Sequence, residues 1–360
     1  MSTDGDPALE TLLLPFTNGE LTWPTHGGAL FLHARDGWPL HRQPLPGLVC
    51  ETGLKSEADA LQRPGQDVRS DIDGDDGLQY PLVLLLPPRQ REEARALFAR
   101  AIACTAPGGM MVACMANAEG AKSGEADLAR LAGPLKTLSK HHCRVFWTAP
   151  LHGSIDPALA AAWIAADAPR PIADGRFLSR PGVFAWDRID VASALLATQL
   201  PPDLAGHGAD LGAGYGYLAA EVLSRCPAVT ALDVYEAQAR ALALARSNLA
   251  PFAARATLSF NWHDVSTGLA QRYDFIVSNP PFHAQSRADR PDLGRAFIAT
   301  AADALLPGGR LLLVANRHLP YETVLDAHFG SVRTLARQAG FKVIEAVKTA
   351  PPAPARRARR

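Results

Sequence analysis

Apolar positions along this chain come in short β-type runs separated by stretches with helical spacing, an alternation that predicts an α/β fold. In the C-terminal half, Asp190–Leu200 reads as a helix, Gly206–Leu211 as a strand and Gly216–Arg225 as a helix. A strand over Val229–Val234 ends near Leu232-Asp233, and Ala237–Leu249 follows as a helix. Ala256–Phe260 and Asp274–Ser278 read as strands, Leu293–Leu306 as a helix and Arg310–Ala315 as a strand. Val332–Ala336 and Phe341–Val347 flank the turn signal Gln338-Ala-Gly340, so an antiparallel hairpin is expected to close an otherwise parallel sheet. The N-terminal half repeats the pattern more faintly. Ala29–His33, Leu82–Leu86, Met110–Met115 and Arg144–Thr148 read as strands, Arg91–Ala103 and Glu125–Leu131 as helices, the last stopped at Gly133-Pro134.

The two halves look related. Leu82-Val-Leu-Leu-Leu-Pro-Pro88 parallels Phe275-Ile-Val-Ser-Asn-Pro-Pro281, and Ala106-Pro-Gly-Gly parallels Leu306-Pro-Gly-Gly, each leading into a strand that ends in Asn, at Asn117 and Asn316. Two matching blocks in the same order predict an internal duplication. The copies differ where chemistry would sit, because Leu86 stands in the place of Asn279 and the first half has no Gly-x-Gly-x-Gly. The expected division is a degenerate domain over 1–165, a Pro- and Gly-marked linker over 166–175, a catalytic domain over 176–350 and a basic tail over 351–360.

Composition agrees with two packed domains: 360 residues, 48% apolar and 20% charged. That excludes a disordered, collagen-like or disulfide-scaffold protein. Basic and acidic residues balance at 36 each, but from Asp174 onward there are 21 Lys and Arg against 16 Asp and Glu, and four of these cations lie in the last five residues. A strongly cationic nucleic-acid binder is disfavoured for the chain as a whole. Five scattered cysteines without a C-x-x-C predict reduced thiols and a cytoplasmic location. No Lys or Arg precedes Arg35, so no signal peptide is expected, and no apolar run approaches the length of a membrane span.

Asp210-Leu-Gly-Ala-Gly-Tyr-Gly216 follows a strand and opens a helix, the context of a nucleotide-binding loop. Gly212, Gly214 and Gly216, with Ala213 between, let the backbone turn sharply and approach a ligand. The spacing alone leaves a nicotinamide cofactor open, since Gly214 to Ala219 satisfies a relaxed dinucleotide pattern. Asp233 is a candidate acceptor for ribose hydroxyls, and Asp264, one strand later, for an adenine amine. His263 reads as structural. Ser278-Asn-Pro-Pro-Phe282 is the most informative segment. Two prolines fix φ and hold Asn279 extended. The Asn279 side-chain oxygen and the Pro280 carbonyl can orient the N–H bonds of a planar exocyclic amine, Pro281 stiffens the loop, and Phe282 offers a stacking face. The polar stretch after it, with His283, Arg287, Arg290 and Arg295, is a candidate RNA contact. No metal-ligand spacing is present.

These residues resemble class I S-adenosylmethionine-dependent N-methyltransferases: Asp210–Gly216 matches the cofactor loop, Asp233 the ribose acid, Asp264 the adenine contact and Asn279–Phe282 the Asn-Pro-Pro-aromatic motif. A degenerate copy joined to an active one, Pro181-Gly-Val-Phe184 leading into Ile189-Asp190, and Ala315-Asn-Arg-His-Leu-Pro-Tyr321 are similar to the ribosomal RNA guanine-N2 methyltransferases of RsmC and RlmG type. Asn117, Gly120–Ser123 and His142-Cys143 resemble the RsmC branch. The resemblance implies two tandem Rossmann-like domains with seven-stranded, mostly parallel sheets. It also implies S-adenosylmethionine as cofactor, guanine N2 in 16S ribosomal RNA as acceptor, ribosomal RNA or the small subunit as partner, and a monomer. Ala284-Gln285 departs from the family pattern. The alternatives are a 23S ribosomal RNA methyltransferase, a protein glutamine N5-methyltransferase, a non-catalytic RNA-binding assembly factor and a nicotinamide-dependent oxidoreductase; Asn-Pro-Pro-Phe is unexplained by the last.

Overall fold

A computed structural model describes residues 5–70, 77–153, 155–281 and 291–349. The chain divides into two compact units, one of Met1–Arg170 with Arg180–Trp186, the other of Pro171–Ser179 with Asp187 onward.

The first unit is built on seven strands: β1 Ala29–Leu32, β2 Leu48–Glu51, β3 Asp67–Arg69, β4 Tyr80–Leu85, β5 Thr105–Ala116, β6 Leu135–Lys140 and β7 Cys143–Thr148. Their spatial order is β3-β2-β1-β4-β5-β7-β6. The first five are parallel, and β7 runs antiparallel to both β5 and β6. Apolar side chains occupy both faces, which is why these strands read as unbroken runs rather than alternations. Phe31, Leu84, Val112 and Val145 pack on one side; Leu32, Val83, Leu85, Met111 and Phe146 pack on the other.

A small two-stranded sheet follows, β8 Arg170–Ile172 and β9 Phe177–Ser179. The expected linker over 166–175 is therefore partly a β-hairpin, its turn made by Ala173, Asp174 and Gly175 with positive φ. Two Pro residues and a Gly signal a turn but do not exclude short strands on either side of it.

The second unit repeats the plan with β10 Ala205–Leu211, β11 Ala228–Glu236, β12 Thr257–Trp262, β13 Tyr273–Ser278, β14 Leu305–Asn316, β15 Ser331–Gln338 and β16 Phe341–Val347. Their order is β12-β11-β10-β13-β14-β16-β15, position for position that of the first sheet. β10–β14 are parallel, and β16 lies antiparallel between β14 and β15, as the hairpin signal predicts. The duplication is thus visible as one topology used twice.

Helices form where the 3.6 period and the caps agree. Asp190 caps the helix Val191–Thr198 by accepting the Ser193 N–H at 2.8 Å, and Gly216, in the left-handed region, starts Tyr217–Arg225. β2, β3 and β6 lie where no strand is expected, and β14 begins five residues before Arg310; the mismatch that bears on the site is β11. It runs on to Glu236, so Asp233 is three residues short of its end.

Candidate active site

Strand β10 has β11 on one side and β13 on the other, so the chain's direction of winding reverses there. In open α/β sheets that reversal leaves a crevice beyond the carboxyl ends of the strands, where ligands bind. The glycine loop, Glu236 and Asn279 all lie at these carboxyl ends.

The loop is held from behind. The N–H groups of Gly212 and Ala213 donate to the Tyr235 carbonyl at 2.9 and 3.0 Å, and Gly214 N–H donates to Glu236 Oε2 at 2.7 Å. Gly212, Gly214 and Gly216 have φ of 75°, 57° and 92°. At Gly216 a Cβ would also lie 3.3 Å from the Ala245 Cα, so the loop is seated against the helix Ala239–Leu249.

Asp210 is fully buried on the strand that feeds this loop. Its Oδ2 accepts the Ala219 N–H at 2.9 Å, while Oδ1 has no hydrogen-bond partner. Burial pushes the Asp210 carboxyl up to about 7, against the Ala219 N–H, which favours the charged form. Glu236 accepts from Gln238 N–H through Oε1 at 2.8 Å. Burial raises its carboxyl as well, opposed by backbone N–H groups.

Asp233 does not join them. Neighbouring strands place Asp210 beside Val234 and Ala209 beside Asp233. Side chains alternate faces, so Asp233 points to the face opposite Asp210. There its Oδ2 accepts the buried Tyr273 hydroxyl at 2.7 Å, Tyr273 and Tyr235 hydroxyls are 2.7 Å apart, and His207 Nε2 lies 3.1 Å from Asp233 Oδ1. The strand-end acid is Glu236, which sequence reasoning missed. The signal was available in the two-residue period: an acid facing the loop must share a face with Asp210, as Glu236 does through Val234.

Asp264 follows β12 and caps a short 3-10 turn, its Oδ1 accepting from Ser266 N–H at 2.9 Å and Ser266 Oγ–H at 2.7 Å. His263 Nε2 is 2.7 Å from the Gly268 carbonyl, the structural role expected of it.

At the end of β13, Ser278 Oγ donates to the Leu211 carbonyl at 2.8 Å and ties this strand to β10. Asn279 Nδ2 donates to Asp190 Oδ2 at 3.0 Å and to Ser193 Oγ at 2.8 Å. Both amide hydrogens are used, and a carboxylate can only accept, so the nitrogen must face Asp190. Asn279 Oδ1 is buried and has no partner. Pro280 is buried and Pro281 exposed. Phe282, His283, Arg287 and Arg290 lie outside the described residues, as does the tail 351–360. Arg295 is exposed on the helix Pro291–Ala304. Among the described residues no group of three or more His, Cys, Asp or Glu is placed to hold a metal, and no helix is long and apolar enough to cross a membrane.

The model of the Methyltransferase small domain family matches residues 174–345. A curated protein of Pseudomonas aeruginosa, ribosomal RNA small subunit methyltransferase C, is 34% identical over 316 residues, covering 86% of this chain and 88% of its own. The protein of that name from Erwinia tasmaniensis is 31% identical over 264 residues, 73% of this chain and 74% of its own. A solved structure of the T. Thermophilus 16S rRNA N2 methyltransferase RsmC, in complex with AdoMet and guanosine, superposes with a TM-score of 0.77 at 25% identity. That likeness covers 95% of this chain and 92% of that one.

Proposed function

The chain belongs to the ribosomal RNA small subunit methyltransferase C family, and from that membership we propose that it transfers a methyl group from S-adenosylmethionine to the exocyclic N2 of a guanine in 16S ribosomal RNA. The observation that carries the reading is Asn279: a buried amide oxygen without a partner, at the switch point of the sheet, next to a glycine loop.

The residues present fit the cofactor. Gly212–Gly216 leave backbone space at the ends of the strands, Glu236 is the acid positioned for ribose hydroxyls, and Asp264 is the candidate for the adenine amine. The partnerless Asp210 Oδ1 is an acceptor suited to a cationic amino group. When bound, S-adenosylmethionine supplies an electrophilic methyl group on a sulfonium sulfur.

The protein's own contribution is positioning. An amine attached to an aromatic ring has a delocalised lone pair and attacks poorly. Asn279 Oδ1 and the Pro280 carbonyl accept its two N–H bonds and set the direction of that lone pair. The paired prolines fix the backbone between the two acceptors. Phe282 stacks on the base, which leaves its helix at a cost of roughly a few kcal/mol. His283, Arg287, Arg290 and Arg295 contact phosphates. The first unit, with Phe31, Thr52 and Leu86 where Asp210, Glu236 and Asn279 stand, serves substrate recognition or structure. The protein acts as a cytoplasmic monomer on ribosomal RNA or the small subunit.

Incubation with labelled S-adenosylmethionine and either ribosomal RNA or protein, followed by product analysis, tests the reading. N2-methylguanine in small-subunit RNA is expected. Label in large-subunit RNA would move the target, label on protein glutamine would replace the substrate class, and no transfer to any would overturn the activity.

A further inference from the structure

An asparagine amide presents an acceptor on one side and a double donor on the other, and the two ends have nearly the same shape. If Asn279 rotated by half a turn it would offer N–H groups to the incoming amine, and two donors would face each other. Its use as an acceptor therefore depends on whatever forbids that rotation. Neither of its chain neighbours can do so: Pro280 has no N–H, and Ser278 Oγ is committed to the Leu211 carbonyl at 2.8 Å. The contacts that distinguish the two ends come from another element, the start of the helix Val191–Thr198. Asp190 Oδ2 accepts one Asn279 hydrogen at 3.0 Å, and Ser193 Oγ accepts from the same nitrogen at 2.8 Å. The same Asp190 oxygen accepts the Ser193 N–H at 2.8 Å, so the helix cap and the contact to Asn279 share one atom.

We infer that Asp190 and Ser193 are positioning residues for methyl transfer: they lock the amide of Asn279 with its nitrogen toward the helix cap and its oxygen toward the acceptor base. This rests on the proposed role of Asn279. The Asp190 carboxylate is decisive because it has no hydrogen to give. With Oδ1 of Asn279 turned toward it, two oxygens would oppose each other inside a partly buried site, whereas the observed orientation gives a charge-assisted hydrogen bond. Ser193 adds a second acceptor on the same side, and the turn between the two residues is fixed by the cap itself. The clamp also explains how a buried Oδ1 stays without a partner: the surroundings satisfy the nitrogen and leave the oxygen for a ligand.

The test separates clamp from cap. Asp190→Ser keeps a good N-cap residue but is too short to reach Asn279. Turnover is expected to fall by about 10- to 100-fold, the loss of a charge-assisted hydrogen bond, with KM for RNA and cofactor affinity nearly unchanged. Asp190→Asn retains an acceptor oxygen and is expected to fall between wild type and Asp190→Ser. Ser193→Ala keeps the capping N–H and removes only the second acceptor, so it holds the test open if Asp190→Ser does not fold; a several-fold loss confined to kcat is expected. Wild-type kcat in Asp190→Ser or in Ser193→Ala would overturn the clamp, as would a loss carried entirely by KM. Asn279→Ala, run alongside, keeps the two ideas apart. Full turnover there removes the role of Asn279 itself, while a dead Asn279→Ala beside fully active Asp190→Ser and Ser193→Ala removes the clamp alone.

Discussion

The two sheets share one strand order, and four of the strand-end positions at which they differ bear on the site. Matching registers put Phe31 where Asp210 stands, His33 where Gly212 stands, Thr52 where Glu236 stands and Leu86 where Asn279 stands. The turn itself is kept: His33 has φ of 53° against 75° at Gly212, and Ala34 N–H donates to the Glu51 carbonyl as Ala213 N–H does to Tyr235. In the first sheet Phe31 and Leu86 are buried, and His33 Nδ1 lies 2.7 Å from the Leu86 carbonyl. In the second, Asp210 and Asn279 each keep a buried oxygen without a partner, a feature that costs about 1–3 kcal/mol apiece. The comparison teaches that this topology is held by its apolar registers and does not need the polar residues. Those persist in one copy at the expense of stability, which is the mark of a site kept for its chemistry.

The sharpest break would come at the paired positions Asn279 and Leu86. Asn279→Ala should lower methyl transfer by about 10²–10³-fold while cofactor still binds, measured with labelled cofactor and by calorimetry. Leu86→Asn should give no new transfer and should destabilise the first unit by about 1–3 kcal/mol in denaturant unfolding, because it buries an amide. Normal turnover in Asn279→Ala would erase the distinction between the copies.

Next in size is the contrast between Glu236 and Asp233. Glu236→Ala should weaken cofactor binding by about tenfold or more, and titration of the wild type should give one cofactor per chain. Asp233→Ala should leave affinity intact and cost about 1–3 kcal/mol of stability, since the Tyr273 hydroxyl loses its buried acceptor. Two cofactors per chain, or the reverse pattern in the two variants, would dissolve the comparison.

A smaller effect follows from Asp210, whose carboxyl titrates near 3.8 when unfolded and about 7 in the fold. A raised value means that the folded state holds the proton more tightly. The stabilising contribution is complete below the unfolded value and is lost as pH rises through about 7. Asp210→Asn should flatten that component of the melting temperature between pH 4 and 8. If the cofactor's cationic amino group meets the ionised carboxylate, wild-type affinity should rise through pH 7 and the variant's should not. Smallest of all, reversing Arg287, Arg290 or Arg295 should weaken RNA binding by a few-fold each, more at low salt. No change across all three would return this stretch to an ordinary solvated surface.

Much of this was readable beforehand, for physical reasons. Strands buried on both faces announce themselves as apolar runs, so the sequence places β4, β10 and β13 close to their true limits, and Arg91–Ala103 and Phe341–Val347 to the residue, while it gives only the second half of β14, whose start at Leu305 lies ahead of the Pro-Gly-Gly stretch. β2 Leu48–Glu51, β3 Asp67–Arg69 and β6 Leu135–Lys140 were not seen. They are short or edge strands whose residues are chosen by a neighbour's register rather than by their own periodicity. The glycine loop and Asn279 were legible because their backbone demands are local. Glu236 was not, because where β11 ends is decided by its pairing with β10 and β12 out to Tyr235 and Glu236. Asp190 was visible as a helix start, but its contact with Asn279 spans 89 residues of chain and belongs to the tertiary structure alone.

Phe31 has a consequence for descent. Its ring is wholly enclosed among Leu9, Leu12 and the other side chains beneath the first sheet. Placing an acid there by a single codon change would strand a charge in hydrocarbon with no asparagine at position 86 beside it. Leu86→Asn, made first, would likewise bury an amide for no return. The ring acts as a ratchet: while it is seated there, single changes toward an acid at this position are opposed by the packing of the first unit itself.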